Sequence, residues 1–326
     1  MNNVFLVYTP YHLLIAIIKT LLAKRVGVDE LIVCDPTAIH SKLAQSAGII
    51  FKKIIQVKHG KTFSYFNVLL WRNRISKHLR FSSHILKKII GFDESYFKDK
   101  DVFIFNDYTA IGYLFNISGI TYNLIEDGLN CFQYPLSSFT KSRCKFSHIW
   151  ESVLGVSWLP FGPSRFTKSV EVNDKSNLHI KHPNIIVSNR EQMFKKLNSS
   201  EINTIAKIFG YQPLNYPIEN NSTLLLTQPL SEDHLIKHAK KIELYKQLVS
   251  KYSIGTLYIK KHPRERENYL DIFPNAIILE NSNIPFEIFM LKEKIHFKRA
   301  LSIYSTAMDA IFCADEKIQM GEKWIF

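Results

Sequence analysis

Short apolar runs recur along the chain, each closed by polar or turn-forming residues and followed by apolar positions at helical spacing. Val4-Phe5-Leu6-Val7-Tyr8 is the first. Thr9-Pro10 closes it, and the spacing then predicts a helix over His12–Lys24 with Pro10 in its first turn. Leu31-Ile32-Val33-Cys34-Asp35 predicts a second strand, Ala38–Gly48 a helix, and Ile54–Val57 a third strand. Val102-Phe103-Ile104-Phe105, Tyr122-Asn123-Leu124-Ile125 and Ser169-Val170-Glu171-Val172 continue the series. Runs without polar alternation, separated by helices, are what a parallel sheet covered on both faces requires.

Asn189–Phe209 predicts two polar helices, and Tyr211–Asn221, with two prolines, the linker. A second α/β pattern follows. Leu224–Thr227, Leu257–Lys261, Ala276–Leu279 and Ala300–Tyr304 are its strands; Asp233–Ser250, Phe286–Leu291 and Thr306–Cys313 are its helices. The expected division is an N-terminal Rossmann-like domain with linker helices over 1–215 and a C-terminal Rossmann-like domain over 216–326. Two successive Rossmann-like patterns predict an α/β protein whose halves face across a cleft.

The chemistry gathers at the strand ends, where open α/β sheets bind their ligands. Leu257-Tyr258-Ile259 runs into Lys260-Lys261-His262-Pro263-Arg264, and Pro263 stops the strand at the histidine. This places an imidazole among cations, suited to a phosphate and equally to a solvated basic turn. Glu126-Asp127-Gly128 brings two carboxylates to a strand end, which suits a general base, though Asp-Gly is also an ordinary turn dipeptide. Thr227-Gln228-Pro229 can orient a polar ligand; Glu232-Asp233 follows, and Asp233 fits a helix N-cap. Ser305-Thr306 at a helix start offers either an anion site or a cap. Lys181-His182-Pro183 repeats part of the basic motif after a polar stretch and is expected to be a loop; Asp99-Lys100-Asp101 lies before its strand and is expected to be a solvated turn.

The 326 residues are 46% hydrophobic and 13% aromatic, so the chain folds into substantial cores. Four dispersed cysteines point to free thiols. A net charge of +13 points to an anionic partner. Arg72, Arg74, Lys77, Arg80, Lys87 and Lys88 among apolar residues form a basic amphipathic segment, either a solvated face or a peripheral membrane contact. The apolar run Val4–Leu22 is broken by Thr9-Pro10-Tyr11-His12 and carries Lys19, unlike a signal peptide or a membrane span, so a cytoplasmic location is expected. Neither P-loop, GxGxxG, GxSxG nor HExxH occurs, and no nucleic-acid-binding motif, so no nucleic acid partner is expected.

Taken together, Tyr8-Thr9-Pro10-Tyr11-His12-Leu13-Leu14, Phe105-Asn106-Asp107 with Gly112, and Leu124-Ile125-Glu126-Asp127-Gly128 with Asn130 resemble bacterial sialyltransferases of glycosyltransferase family 52, of the streptococcal α-2,3 type. Ser169-Val170-Glu171-Val172-Asn173, Leu226-Thr227-Gln228-Pro229-Leu230, Lys261-His262-Pro263-Arg264 and Ser305-Thr306-Ala307 with Asp309 extend the resemblance over nearly the whole chain. It implies a GT-B fold and an inverting transfer of sialic acid from CMP-sialic acid to a terminal galactose of a surface glycan, without metal or other cofactor. The same resemblance admits another donor or acceptor, as in a polysialyltransferase or glucosyltransferase. Carried onto this sequence, it places His262 at the donor phosphate as acid, with Lys261, Pro263, Arg264, Ser305 and Thr306 around it and Glu287 on the ribose. Thr227, Gln228 and Pro229 belong to the same donor region. Thr9, Tyr11, His12, Asn106 and Asp107 face the acceptor, and Asp127, beside Glu126, is the base. Some members place an aspartate directly after the proline of the first C-terminal strand. Leu230 stands there in this chain, which keeps Asp233 as the alternative base.

Overall fold

The structure is a computed structural model that describes residues 2–57, 86–88, 90–105, 107, 110–128, 132, 164–279, 284–293, 295–303, 305 and 307–321. Most of the basic amphipathic segment, most of the aromatic-rich stretch 130–163, Asn106, Thr306, Cys131 and Cys144 lie outside them. The contacts divide the chain into two compact units, Met1–Leu197 and Asn198–Phe326. The sequence expectation put the division at 215/216; here the helix Ser199–Phe209 belongs with the second unit, where it packs on the helix Phe286–Lys292.

In the first unit, β1 (Asn2–Val7), β2 (Glu30–Val33), β3 (Lys53–Gln56), β4 (Lys100–Ile104), β5 (Tyr122–Ile125), β6 (Thr167–Val172) and β7 (Ile185–Val187) form one sheet in the order β3-β2-β1-β4-β5-β6-β7. Every pairing is parallel. Central strands buried on both faces explain the unbroken apolar runs, and edge strands explain the exceptions. β7 was not anticipated, because Ile186 and Val187 are exposed and carry no alternating signal.

Helix α1 (Pro10–Leu22) returns across this sheet, started by Thr9, whose side chain accepts from the His12 N–H, and by Pro10 in its first turn. Its buried residues run from His12 to Leu21. The order of the strands reverses between β1 and β4. That is the topological switch point, outside whose carboxyl ends such sheets bind ligands.

The second unit repeats the plan with β8 (Ser222–Leu226), β9 (Thr256–Lys260), β10 (Ile277–Ile278), β11 (Phe297–Ser302) and β12 (Ala314–Gln319), in the parallel order β10-β9-β8-β11-β12. Its switch point lies between β8 and β11. β12 was also missed: its sequence ADEKIQ is polar because it is an edge, tied down by Arg299–Glu316 and by His296 and Lys298 on Asp315. The helix expected over Asp233–Ser250 begins only at His238, with Lys237 as N-cap, and runs to Tyr252. Asp233 is therefore no helix cap. Residues 228–237 fold as turns instead, with Leu230 buried and its carbonyl accepting from Leu235 and Ile236. The last predicted helix is shorter than expected, Ala307–Ala310. Cys34 and Cys313 are free thiols, and burial pushes the Cys313 thiol up to about 12. No helix among the described residues is long and apolar enough to cross a membrane.

Among the described glycines, one is demanded by both conformation and space. Gly255 has φ +55°, and a Cβ there would lie 1.7 Å from the Asn221 carbonyl oxygen. Gly255→Ala should destabilise the second unit by about 1–3 kcal/mol or more, read as a lower urea midpoint with unchanged slope. A variant as stable as the parent would contradict the tight turn into β9.

Candidate active site

At the first switch point, three neighbouring strands deliver side chains to one edge. β1 leads to Thr9 and His12, β4 to Phe105, and β5 to Glu126-Asp127. His12 is 1% exposed and stacks flat on Phe105, with ring centroids 4.3 Å apart. Its Nδ1 accepts from the Tyr8 backbone N–H at 3.3 Å, so the neutral ring carries its proton on Nε2. That Nε2–H donates to the Asp127 carboxylate and lies 3.1 Å from the Asp127 carbonyl oxygen. Both ring nitrogens are thereby used. The imidazole can orient a carboxylate but has no lone pair left for a substrate proton. His12, expected on the acceptor, is the partner of Asp127, whose side chain is 29% exposed.

Glu126 behaves differently from its neighbour. It is 2% exposed, and its carboxylate accepts from the Asn173 N–H at 2.8 Å and the Phe132 N–H at 3.5 Å, anchoring the loop that carries Asp127. Asp107 is fully buried and accepts from the Tyr122 hydroxyl at 3.2 Å. It braces the interior. A Cβ on Gly112 would come within 2.2 Å of the Asp107 carbonyl oxygen, which accounts for glycine there. Thr9 serves as the helix cap.

A buried cluster behind this edge was not foreseen. Lys19 at 2.5 Å and Arg190 at 2.8 Å both pair with Glu171. Burial pushes the Glu171 carboxyl up, but the two cations overcome it and hold it below the usual range. The Arg190 backbone N–H also donates to the Asn173 side chain, and against the cost of burial Glu171 and Glu126 favour the guanidinium charge, so the cluster joins the Asp127 loop to α1.

At the second switch point, Gln228 after β8 donates through Nε2 to the Ser305 hydroxyl after β11 at 2.9 Å, which spans the reversal of strand order. His262 follows β9. Its Nδ1 accepts from the Arg264 N–H at 3.2 Å, which again leaves the proton on Nε2. Burial, then the charge of Arg264, lowers its pKa to about 4, so the ring is neutral near pH 7. Arg264 grips Asp233 through two bonds of 2.5 and 3.0 Å. Asp233 is therefore paired with a cation. Lys261 donates to the Glu267 carbonyl at 2.6 Å.

Beside them lie Lys260, 6% exposed, and Glu287, 7% exposed. Burial lowers Lys260 to about 7 and raises Glu287, so desolvation outweighs the attraction between them at both groups. Lys260, read from the sequence as one of the cations at this strand end, is the last residue of a buried strand and is itself withdrawn from solvent. The decoys sit at the opposite sheet edge. His182 bonds the Thr167 carbonyl at 3.1 Å where β6 begins, in a loop as expected. Lys100 and Asp101 open β4 and pair with Glu30 and Lys168, so they are strand residues rather than a turn.

Residues 48–319 match the profile of Glycosyltransferase family 52. An uncharacterised protein of Haemophilus influenzae is 27% identical over 240 residues, covering 73% of this chain and 72% of the relative. Among solved structures, a UDP-GlcNAc 2-epimerase from Neisseria meningitidis bound to UDP-GlcNAc superposes with a TM-score of 0.52 at 15% identity, covering 94% of this chain and 79% of that one. The spinosyn forosaminyltransferase SpnP aligns with a TM-score of 0.48 at 11% identity, covering 99% of this chain and 82% of that one. The two parallel sheets are those of a GT-B fold.

The low pKa of His262 has a consequence for stability. An ordinary histidine in the unfolded chain titrates near 6.5, so between about pH 6.5 and 4 the unfolded state binds the extra proton. Its contribution is fully present above pH 6.5 and is lost as pH falls toward 4. His262→Gln should remove up to about 1.4 kcal/mol per pH unit of slope from the second unit's unfolding free energy in that window. Urea titrations at several pH values read this directly; an unchanged slope would refute it.

Proposed function

The chain belongs to glycosyltransferase family 52, and from that premise we propose that it transfers sialic acid from CMP-sialic acid to a galactose-terminated surface glycan, with inversion and without a metal. The supporting observation is the pair of prepared groups at the two switch points: a carboxylate oriented by a buried histidine, and a neutral imidazole with its proton on Nε2 among cations.

In this reading the acceptor hydroxyl oxygen attacks the anomeric carbon and gives its proton to Asp127. The bond from that carbon to the phosphate oxygen breaks, and the electron pair leaves with CMP. His262 first donates a hydrogen bond from Nε2 to the phosphate. The phosphate's negative charge raises the pKa of the ring, and only then is full proton transfer to the leaving group available. Lys261, Arg264 and Ser305, with Thr306, form the phosphate surroundings, and Glu287 holds the ribose hydroxyls. Thr227, Gln228 and Pro229 shape the same region. Asp127 is preferred as base because Asp233 is tied up by Arg264. A dissociating phosphate needs charge stabilisation, one base and positioning, all of which these side chains can supply.

Incubation with CMP-sialic acid and lactose, with linkage analysis of the product, tests the proposal. A sialylated product in α-2,3 linkage is expected, and Asp127→Asn and His262→Ala should each lower kcat about 10²–10⁴-fold. Absence of both product and CMP release, with turnover of a different nucleotide sugar, would reassign the donor. Full activity of Asp127→Asn together with loss in Asp233→Asn would move the base.

A further inference from the structure

Behind the turn that carries His262 lies a polar cluster sealed from solvent. The side chains of Lys241 and Glu265 are both 0% exposed, with Nζ 2.8 Å from one Glu265 oxygen. The same oxygen accepts from the Tyr269 hydroxyl at 2.6 Å. The other accepts from the Thr227 hydroxyl and, at 3.1 Å, from the His262 backbone N–H. Four donors fill the four lone-pair positions of one carboxylate. Lys241 also reaches Glu232 at 3.0 and 3.2 Å, and Glu232 accepts from the Arg266 N–H at 3.2 Å. The Tyr245 hydroxyl accepts from the Gln228 N–H at 2.7 Å. The loop after β8 and the turn after β9 are thus tied to one lysine on the helix His238–Tyr252.

A buried ion pair of this kind adds little stability over apolar side chains of equal volume. What an apolar core could not do is hold a chosen backbone N–H in place. We propose that Glu265 and Lys241 are positioning residues for His262: the carboxylate fixes the His262 backbone, and the lysine fixes the carboxylate. The ring is thereby held with Nδ1 on the Arg264 N–H and Nε2–H turned to its substrate. This rests on the reading of His262 given above; neither residue touches the reacting atoms.

Lys241→Met/Glu265→Leu exchanges the pair for apolar side chains of similar size and so separates position from stability. In the folded variant, with Tm within a few degrees of the parent, kcat for sialyl transfer is expected to fall about 10–100-fold, with acceptor KM unchanged within about twofold. Nitrogen NMR of the imidazole should show a single Nε2–H tautomer in the parent and a mixture in the variant. A folded variant with parental kcat and a single tautomer overturns the proposal. If that variant does not fold, Glu265→Gln is read by the same two measurements, with the same outcomes deciding. His262→Ala separates the two claims. If it is inactive while the double variant is fully active, only the positioning role fails. If it retains transfer, the reading of His262 fails, and the tautomer alone decides whether the cluster positions the ring.

Discussion

The Lys241–Glu265 ion pair is the constraint on which the turn after β9 depends. Both side chains are withdrawn from water, so each charge is tolerable only because the other is present and because Tyr269, Thr227 and the His262 backbone complete the carboxylate's hydrogen bonds. The arrangement ties the turn after β9 to the helix His238–Tyr252. It also lets cations stand close together on that turn: Arg264 is held by Asp233 and Lys261 by a carbonyl, so mutual repulsion does not scatter them.

The first unit solves a similar problem with a different device. Asp127 sits at a strand end with part of its surface in solvent, and a carboxylate there would ordinarily sample several rotamers. His12 prevents this, itself pinned by the Tyr8 N–H on one nitrogen and by stacking on Phe105. Two turns further along α1, Lys19 reaches Glu171, so one face of a single helix serves both the oriented carboxylate and the buried cluster beneath its loop. Adjacent carboxylates acquire different roles from their surroundings: Glu126, enclosed and bonded to backbone N–H groups, is structural, and Asp127 is presented outward.

Much of this was legible in the residue pattern, for an identifiable reason. Strands buried on both faces of a parallel sheet must be continuously apolar, so β1, β2, β4, β5, β8 and β9 announce themselves, and with them the polar residues at their ends. The edge strands β7 and β12 obey no such requirement and went unseen. Residues 233–237 were read as the start of a helix because Glu232-Asp233 imitate a helix start; the burial of Leu230 and the bond from Arg264 to Asp233 decided otherwise. A lysine on the buried stripe of His238–Tyr252, in register with Leu244, Tyr245 and Leu248, was the one available signal for the hidden cluster. It marks an anomaly in an apolar face without naming its partner.

By itself the sequence determined the two α/β patterns, the strand ends at which chemistry collects, and the short motifs that mark the family, because each depends on residues close together in the chain. Tertiary structure alone decided which carboxylate is presented and which is enclosed, that His12 orients Asp127, that Asp233 belongs to Arg264, and that Lys241 stands behind His262. Those are pairings between segments far apart in sequence. A side chain's charge state and role follow from the burial and partners it meets there, and neither is encoded at its own position.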